Sequence, residues 1–254
     1  MRLTVLTSGS KGNCSYVEAE NTRLLLDIGL SYHRLKQDLE SQHANLDDID
    51  ALLLTHTHKD HILGLEVTIK HTNFKVYITE EMYKDLKNIV PKERIEFYHP
   101  DLHIQNIKVT TIKTSHDAKG SVGFLLENGS NSLVYITDTG YIHHKYLKML
   151  TNKQIYYIES NHDEKMLMDG PYPFQLKQRI ISDEGHLSNE MAASYLEQLV
   201  GIDTKYVLLA HLSEHNNTKE KALEATENHL ANTPYHPIVL IAEEKEITEL
   251  VEVV

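Results

Sequence analysis

The chain has 254 residues, 41% of them hydrophobic and 24% charged, the balance of an ordinary globular protein with ample material for a core. A formal net charge of −12 argues against a protein that coats nucleic acid with its whole surface, because phosphate neutralisation carries most sequence-independent affinity. The single cysteine, Cys14, excludes a disulfide framework and a thiolate cluster and reads as a small buried hydrophobe.

No apolar run approaches membrane-spanning length, so no membrane segment is expected. Met1-Arg2-Leu3-Thr4-Val5 opens like a strand rather than a signal peptide, and a cytoplasmic location is expected. Arg2–Thr7 and Cys14–Ala19 read as strands joined by Ser8-Gly9-Ser10-Lys11-Gly12-Asn13. The two glycines there allow backbone to approach another group closely and expose N–H donors, although an ordinary hairpin loop has the same composition. Thr22–Leu26 is a third strand. Asp27 at its end either orients a metal-binding histidine or caps a helix over 31–39, with the cap favoured.

The apolar run 51–54 reads as a buried strand, and Thr55-His56-Thr57-His58-Lys59-Asp60-His61 follows it directly. Alternation along an extended backbone puts His56 and His58 on one side. Asp60 and His61 then stand at the mouth of a helix over 62–71. Three imidazoles and a carboxylate within six residues suit a borderline divalent cation such as zinc.

Lys75–Ile78 is the next strand, 80–88 a helix, and 94–98, 102–105 and 108–113 a β-rich run ending in Thr114-Ser115-His116-Asp117. Strands over 122–126 and 132–136 follow, the second ending at Asp138. A helix over 141–150 carries His143 and His144, read as solvated. The strand 154–158 leads into Glu159-Ser160-Asn161-His162-Asp163, and a helix beyond Pro173 carries Lys177 and Arg179. Gly185-His186-Leu187-Ser188-Asn189 opens a helix over 190–199 with apolar residues at helical spacing. Tyr206–Ala210 is a strand ending at His211, Lys219–Leu230 a helix, and Ile238–Ile241 and 247–253 are expected as closing strands. With no linker or composition break, 1–254 is expected to form a single α/β domain.

His56-x-His58-x-Asp60-His61, then His116, Asp138 and His211, each just past a strand, resemble the ordered motifs of the metallo-β-lactamase superfamily. The resemblance covers nearly the whole chain and implies a four-layer αββα sandwich with two divalent ions, zinc or manganese, at one edge. It implies that His56, His58 and His116 hold the first metal. Asp60, His61 and His211 would hold the second, with Asp138 bridging, so that Asp60 and Asp138 also count as catalytic. Glu159 and His186 resemble the pair that the tRNA 3′-processing branch uses to protonate a leaving oxygen, which sets a histidine tautomer and raises its pKa.

Two intervals depart from other nuclease branches. Between His116 and Asp138 there is no room for the long substrate-clamping arm of tRNA processing. Between Asp138 and His211 there is none for the extra domain of the β-CASP nucleases. The overall pattern is most similar to the WalJ/YycJ branch, marked here by the Ser8–Asn13 loop, Ser115-His116-Asp117-Ala118, Glu159-Ser160-Asn161-His162-Asp163, Gly185-His186-Leu187-Ser188-Asn189 and His211-Leu212-Ser213. This resemblance implies a metal-dependent phosphodiesterase, a 5′→3′ exonuclease on double-stranded DNA linked to mismatch repair. The alternative is a metal-dependent hydrolase of a small ester, thioester or cyclic nucleotide. Lys11, Asn13, Asn161, His162, Lys177 and Arg179 are the expected substrate contacts.

Overall fold

Successive residues of the strand Asn131–Ile136 face opposite ways: Leu133 and Tyr135 join one hydrophobic core, Val134 and Ile136 a second. The strand Ile155–Glu159 repeats this, with Ile155 and Tyr157 in the first core and Tyr156 and Ile158 in the other. A strand buried on both faces reads as a continuous apolar run rather than an alternation. The computed structural model, which describes residues 1–254, shows how two such sheets stack.

One mixed sheet holds β1 (Arg2–Thr7), β2 (Cys14–Ala19), β3 (Thr22–Leu26), β4 (Ala51–Leu53), β5 (Lys75–Ile78) and β6 (Ile95–Phe97) side by side. The other holds β7 (His103–Ile104), β8 (Ile107–Lys113), β9 (Val122–Asn128), β10 (Asn131–Ile136), β11 (Ile155–Glu159), β12 (Tyr206–Ala210) and β13 (Ile238–Ile241) in reverse order across the sheet. A short β14 (Val251–Glu252) returns to pair antiparallel with β1. Side chains from both sheets share the larger core; there the rings of Tyr135 and Tyr157 stack with centroids 4.1 Å apart.

Helices cover both outer faces. Leu35 and Leu39 of α1 (Tyr32–Ser41) pack on the first sheet, followed in the chain by α2 (Lys59–Ile62). Leu65 and Ile69 of α3 (Leu65–His71) and Leu86 of α4 (Tyr83–Leu86) join the same core. On the second sheet, α5 (His144–Leu150), α8 (Asn189–Leu199) and α9 (Lys219–Leu230) bury Leu150, Leu196 and Leu230. Between them come α6 (Glu164–Asp169) and α7 (Phe174–Ile180). No helix is long and apolar enough to cross a membrane.

Four expectations are corrected. The helix expected over 62–71 is two helices, because Gly64 N–H donates to the Ile28 carbonyl at 3.0 Å while the Asp60 carbonyl accepts from Asn13 N–H; only glycine fits there, since a Cβ would lie 2.1 Å from the Leu30 carbonyl oxygen. The closing strand expected over 247–253 pairs only at Val251–Glu252; before that, Thr248 N–H donates to the Val5 carbonyl, 2.9 Å, without a ladder. Ser31, not Asp27, caps α1, its hydroxyl accepting from Arg34 N–H at 3.3 Å. His143 is the N-cap of α5 rather than a solvated helix residue, its Nδ1 accepting from Lys145 N–H.

Candidate metal centre

The chain reverses direction between β8 and β9 and again into β10, so β8, β10, β11 and β12 all end on one side. The parallel strands β3 and β4 of the other sheet end beside them. Asp27, Asp138 and His211, each just past a strand, have φ of 60°, 51° and 55°. Left-handed backbone is costly for most residues but tolerated by Asp, Asn and His, and it clusters where a site dictates side-chain direction.

All seven expected ligand residues converge there. Donor atoms of His56, His58 and His116 lie within 4.8 Å of one another, as do those of Asp60, His61 and His211. Asp138 belongs with His56 and His61 in one group, and with Glu159, His186 and His211 in another. The donor set fits divalent metal. Nε2 of His56 and Nε2 of His211 are buried without any hydrogen-bond partner, which a folded protein rarely tolerates without a ligand for them. Burial and the neighbouring imidazoles push His56 well below the ordinary histidine range, leaving the neutral ring that binds metal. Burial lowers His116 in the same way. Asp138 is buried too, yet the surrounding His211 and His61 hold it well below the carboxylate range. Burial opposes charge on His61 and His211 as well, but Asp27 and Asp138 beside the one, and Asp138, Asp60 and Glu159 beside the other, raise both well above the ordinary histidine range, so positive charge already sits among the carboxylates where a cation would take its place.

The supporting contacts are as specific. Asp27, fully buried, accepts from Thr55 N–H and Thr55 Oγ1, both 2.8 Å, and lies 2.8 Å from His61 Nδ1. Asn13 is also fully buried; its Nδ2 is 3.2 Å from Asp60 Oδ2 and 3.0 Å from His61 Nε2. Gly29 lets these loops meet, since a Cβ there would lie 1.7 Å from the Asp60 carbonyl oxygen. The Ser8–Asn13 loop therefore packs against the cluster: Asn13 N–H donates to the Asp60 carbonyl at 2.8 Å. Ser8 Oγ accepts from His211 N–H and sits 2.9 Å from Tyr157 Oη, tying the exit of β12 to the stacked tyrosines.

Glu159 is the last residue of β11 and is wholly buried. Its Oε1 lies 2.7 Å from His186 Nδ1 and 2.8 Å from His211 Nδ1, while Oε2 accepts from Thr139 and Leu187 N–H. Burial opposes its charge, but His186 and His211 hold its pKa down to about 2. Burial likewise opposes protonation of His186, and Glu159 outweighs it, raising that imidazole above its usual range. One carboxylate thus serves two histidines, one from each half of the expected machinery.

The pocket over the cluster holds about 250 Å³ and is lined by His58, Asp60, His116, Asp138, His186 and His211, with Asn161, Tyr172 and Arg179 on its walls. Of the expected substrate contacts, Asn161 and Arg179 line it. The others do not. Lys11 is exposed and ion-paired with Glu214 at 2.6 Å, and Lys177 Nζ donates to the Met168 carbonyl. His162 is buried, held down to about 4 by that burial, and its backbone bridges to Ser188.

Asp117 is a site residue that sequence reasoning missed. Its Oδ1 is 3.4 Å from His58 Nε2 and its Oδ2 2.6 Å from Arg179 Nη2, so it anchors that guanidinium beside the cluster. Its adjacency to His116 is the one signal that points to it.

Comparison with known proteins agrees with this architecture. A family model described as "Beta-lactamase superfamily domain" matches residues 22–212. The "Exodeoxyribonuclease YycJ" of Bacillus anthracis is 36% identical over 227 residues, 87% of this chain and 86% of that protein. The "Exodeoxyribonuclease WalJ" of Streptococcus pneumoniae serotype 2 (strain D39) is 34% identical over 237 residues, 91% of this chain and 88% of that protein. Among solved structures, the metallo-β-lactamase fold protein YhfI from Bacillus subtilis superposes with a TM-score of 0.75 at 18% identity, covering 99% of each chain.

Proposed function

The chain belongs to the metallo-β-lactamase superfamily, and we propose that it is a dinuclear-metal phosphodiesterase, an exodeoxyribonuclease that degrades double-stranded DNA in the 5′→3′ direction and serves DNA repair. His56, His58 and His116 would hold one divalent ion, Asp60, His61 and His211 a second, and Asp138 would bridge them; zinc and manganese both suit this donor set. Bound there, the ions supply an activated water at neutral pH and neutralise charge on the phosphoryl oxygens.

The observation that carries a phosphodiester substrate is the Glu159–His186 pair at the pocket. With Nδ1 committed to Glu159, the ring presents Nε2 as its transferable proton. Glu159 raises the imidazole above its usual range against the effect of burial, the direction that an acid for an alkoxide leaving group requires. His186 would donate that proton to the departing 3′ oxygen. Arg179, anchored by Asp117, offers a guanidinium to a non-bridging phosphoryl oxygen. Asp27 and Asn13 hold His61 and Asp60 in place.

The protein, purified with manganese or zinc, is tested on end-labelled duplex DNA, single-stranded DNA, RNA and a cyclic nucleotide, with Asp138→Ala as control. Digestion of duplex DNA that the variant lacks is the expected result. Hydrolysis confined to the cyclic nucleotide or a small ester would make the protein a small-molecule hydrolase.

A further inference from the structure

A second, larger cavity opens beside the metal pocket, and His116 belongs to the wall of both. It holds about 490 Å³ between the end of β8, the loop after it, Tyr141 and the start of α5. Lys113, Lys119 and Lys145 line it, against one carboxylate, Glu184. All three lysines are exposed. None is ion-paired, whereas many cations elsewhere on this acidic chain are: Lys11 to Glu214, Lys70 to Glu66, Lys153 to Glu127 and Lys221 to Asp163. Uncompensated positive charge is therefore gathered beside the site on a protein whose net charge is −12.

The walls are preformed. Lys113 N–H donates to Tyr146 Oη at 3.2 Å, and Ser115 N–H to Thr139 Oγ1 at 3.0 Å. Gly120, at φ +73°, brings its carbonyl to Thr79 Oγ1, 3.1 Å, in a conformation that a side chain would strain. Tyr141 adds a ring that is 38% exposed. A cationic groove with an accessible aromatic ring is what an unpaired nucleic-acid strand requires: lysines for the phosphates, a flat apolar face for a base. A base inside a duplex has no such face to offer.

We propose that this cavity is a track for one unpaired DNA strand continuing from the metal pocket, with Lys113, Lys119 and Lys145 on its phosphates and Tyr141 stacked on a base. The inference rests on the nuclease function proposed above and extends it: the end of a duplex must fray before the strand is seated.

The test compares DNA digestion with hydrolysis of bis(p-nitrophenyl) phosphate by the metal-loaded protein. In the triple variant Lys113→Ala, Lys119→Ala, Lys145→Ala, the DNA rate relative to the small-ester rate falls at least roughly 10-fold through KM. The slope of log(kcat/KM) against log salt becomes shallower by about 2, as three lost single-strand phosphate contacts require. A charge-matched control at the opposite end of the strands, Lys75→Ala, Lys92→Ala, Lys205→Ala, keeps both values. Tyr141→Ala raises KM for DNA and Tyr141→Phe restores it. If the unaltered protein cuts DNA but the first triple variant keeps the ratio and the salt slope, the track is wrong and the nuclease stands. If the unaltered protein leaves DNA intact, both are wrong.

Discussion

Asp27 Oδ2 and His61 Nδ1 lie 2.8 Å apart, and both side chains are inaccessible to solvent. The contact fixes the ring so that Nε2 faces Asp60, Asp138 and Asn13. Partners of this kind typically account for 10–100-fold in metal affinity. Asp27→Asn is therefore expected to weaken metal binding by about that factor while the protein stays folded, measured by competition with a chromogenic chelator and by circular dichroism. Unchanged affinity would reduce Asp27 to a residue that merely packs against Thr55.

Glu159 and His186 make a different prediction, because neither is needed to hold the first ion. His186→Ala should keep its metals and lose at least roughly 10²-fold in the rate of DNA cleavage. A p-nitrophenyl ester leaves without needing a proton, so the same variant should lose much less on that substrate. Equal losses on both would remove the general-acid role. Glu159→Gln should lose more than the acid function, since Glu159 also touches His211.

Gly29 offers a test through the backbone. A methyl group there would stand 1.7 Å from the Asp60 carbonyl oxygen and 2.4 Å from Asn13 N, both main-chain atoms that cannot swing aside. Gly29→Ala should displace the loop carrying Asp60 and lower both thermal stability and metal content, read by calorimetry and elemental analysis. Overpacking of this kind typically costs about 1–3 kcal/mol. A variant with normal stability and metal content would show that the loops are looser than their contacts imply.

Asp163 is placed to contribute to stability through a helix cap and an ion pair. It caps α6, accepting from Met166 N–H at 2.7 Å, and pairs with Lys221 at 2.9 Å. Partial burial opposes its charge, but the Met166 N–H and Lys221 outweigh it and hold the folded pKa below the usual aspartate value. The unfolded chain therefore binds the proton more tightly. The contribution is full above the unfolded pKa and is lost as pH falls through the folded one. Asp163→Ala should cost about 1 kcal/mol at pH 7, with the difference shrinking below about pH 4. A difference that persists unchanged at pH 2 would mean that the charge contributes nothing.

The candidate ligands are legible in the sequence because each follows an apolar run with no element between. His56 and His58 leave β4, Asp138 leaves β10 and His211 leaves β12, so strand ends and chemistry coincide. Most strands are visible as apolar runs for the same reason. What is not legible depends on partners far along the chain. Asn13 meets Asp60 47 residues on, and Ser8 meets His211 203 residues on. No local pattern distinguishes Asp27 as a partner of His61 from a helix cap, and Ser31 competes for the cap. The helix break at Gly64 comes from its N–H donating to the distant Ile28 carbonyl, a tertiary contact invisible to helical periodicity. Lys113, Lys119 and Lys145 are separated in sequence and gather only because β8 and α5 flank one cavity.

We propose that one shared site, with metals on its histidines and carboxylates, degrades DNA from a 5′ end. The most direct measurement pairs elemental analysis with a time course on duplex DNA carrying separate 5′ and 3′ labels. Two transition-metal ions per chain, early release of the 5′ label, and loss of metal and turnover together in Asp138→Ala are the expected result. A protein that holds fewer than one ion per chain and stays inactive after zinc or manganese is added would contradict it. So would one that binds its metals and leaves both labels in place.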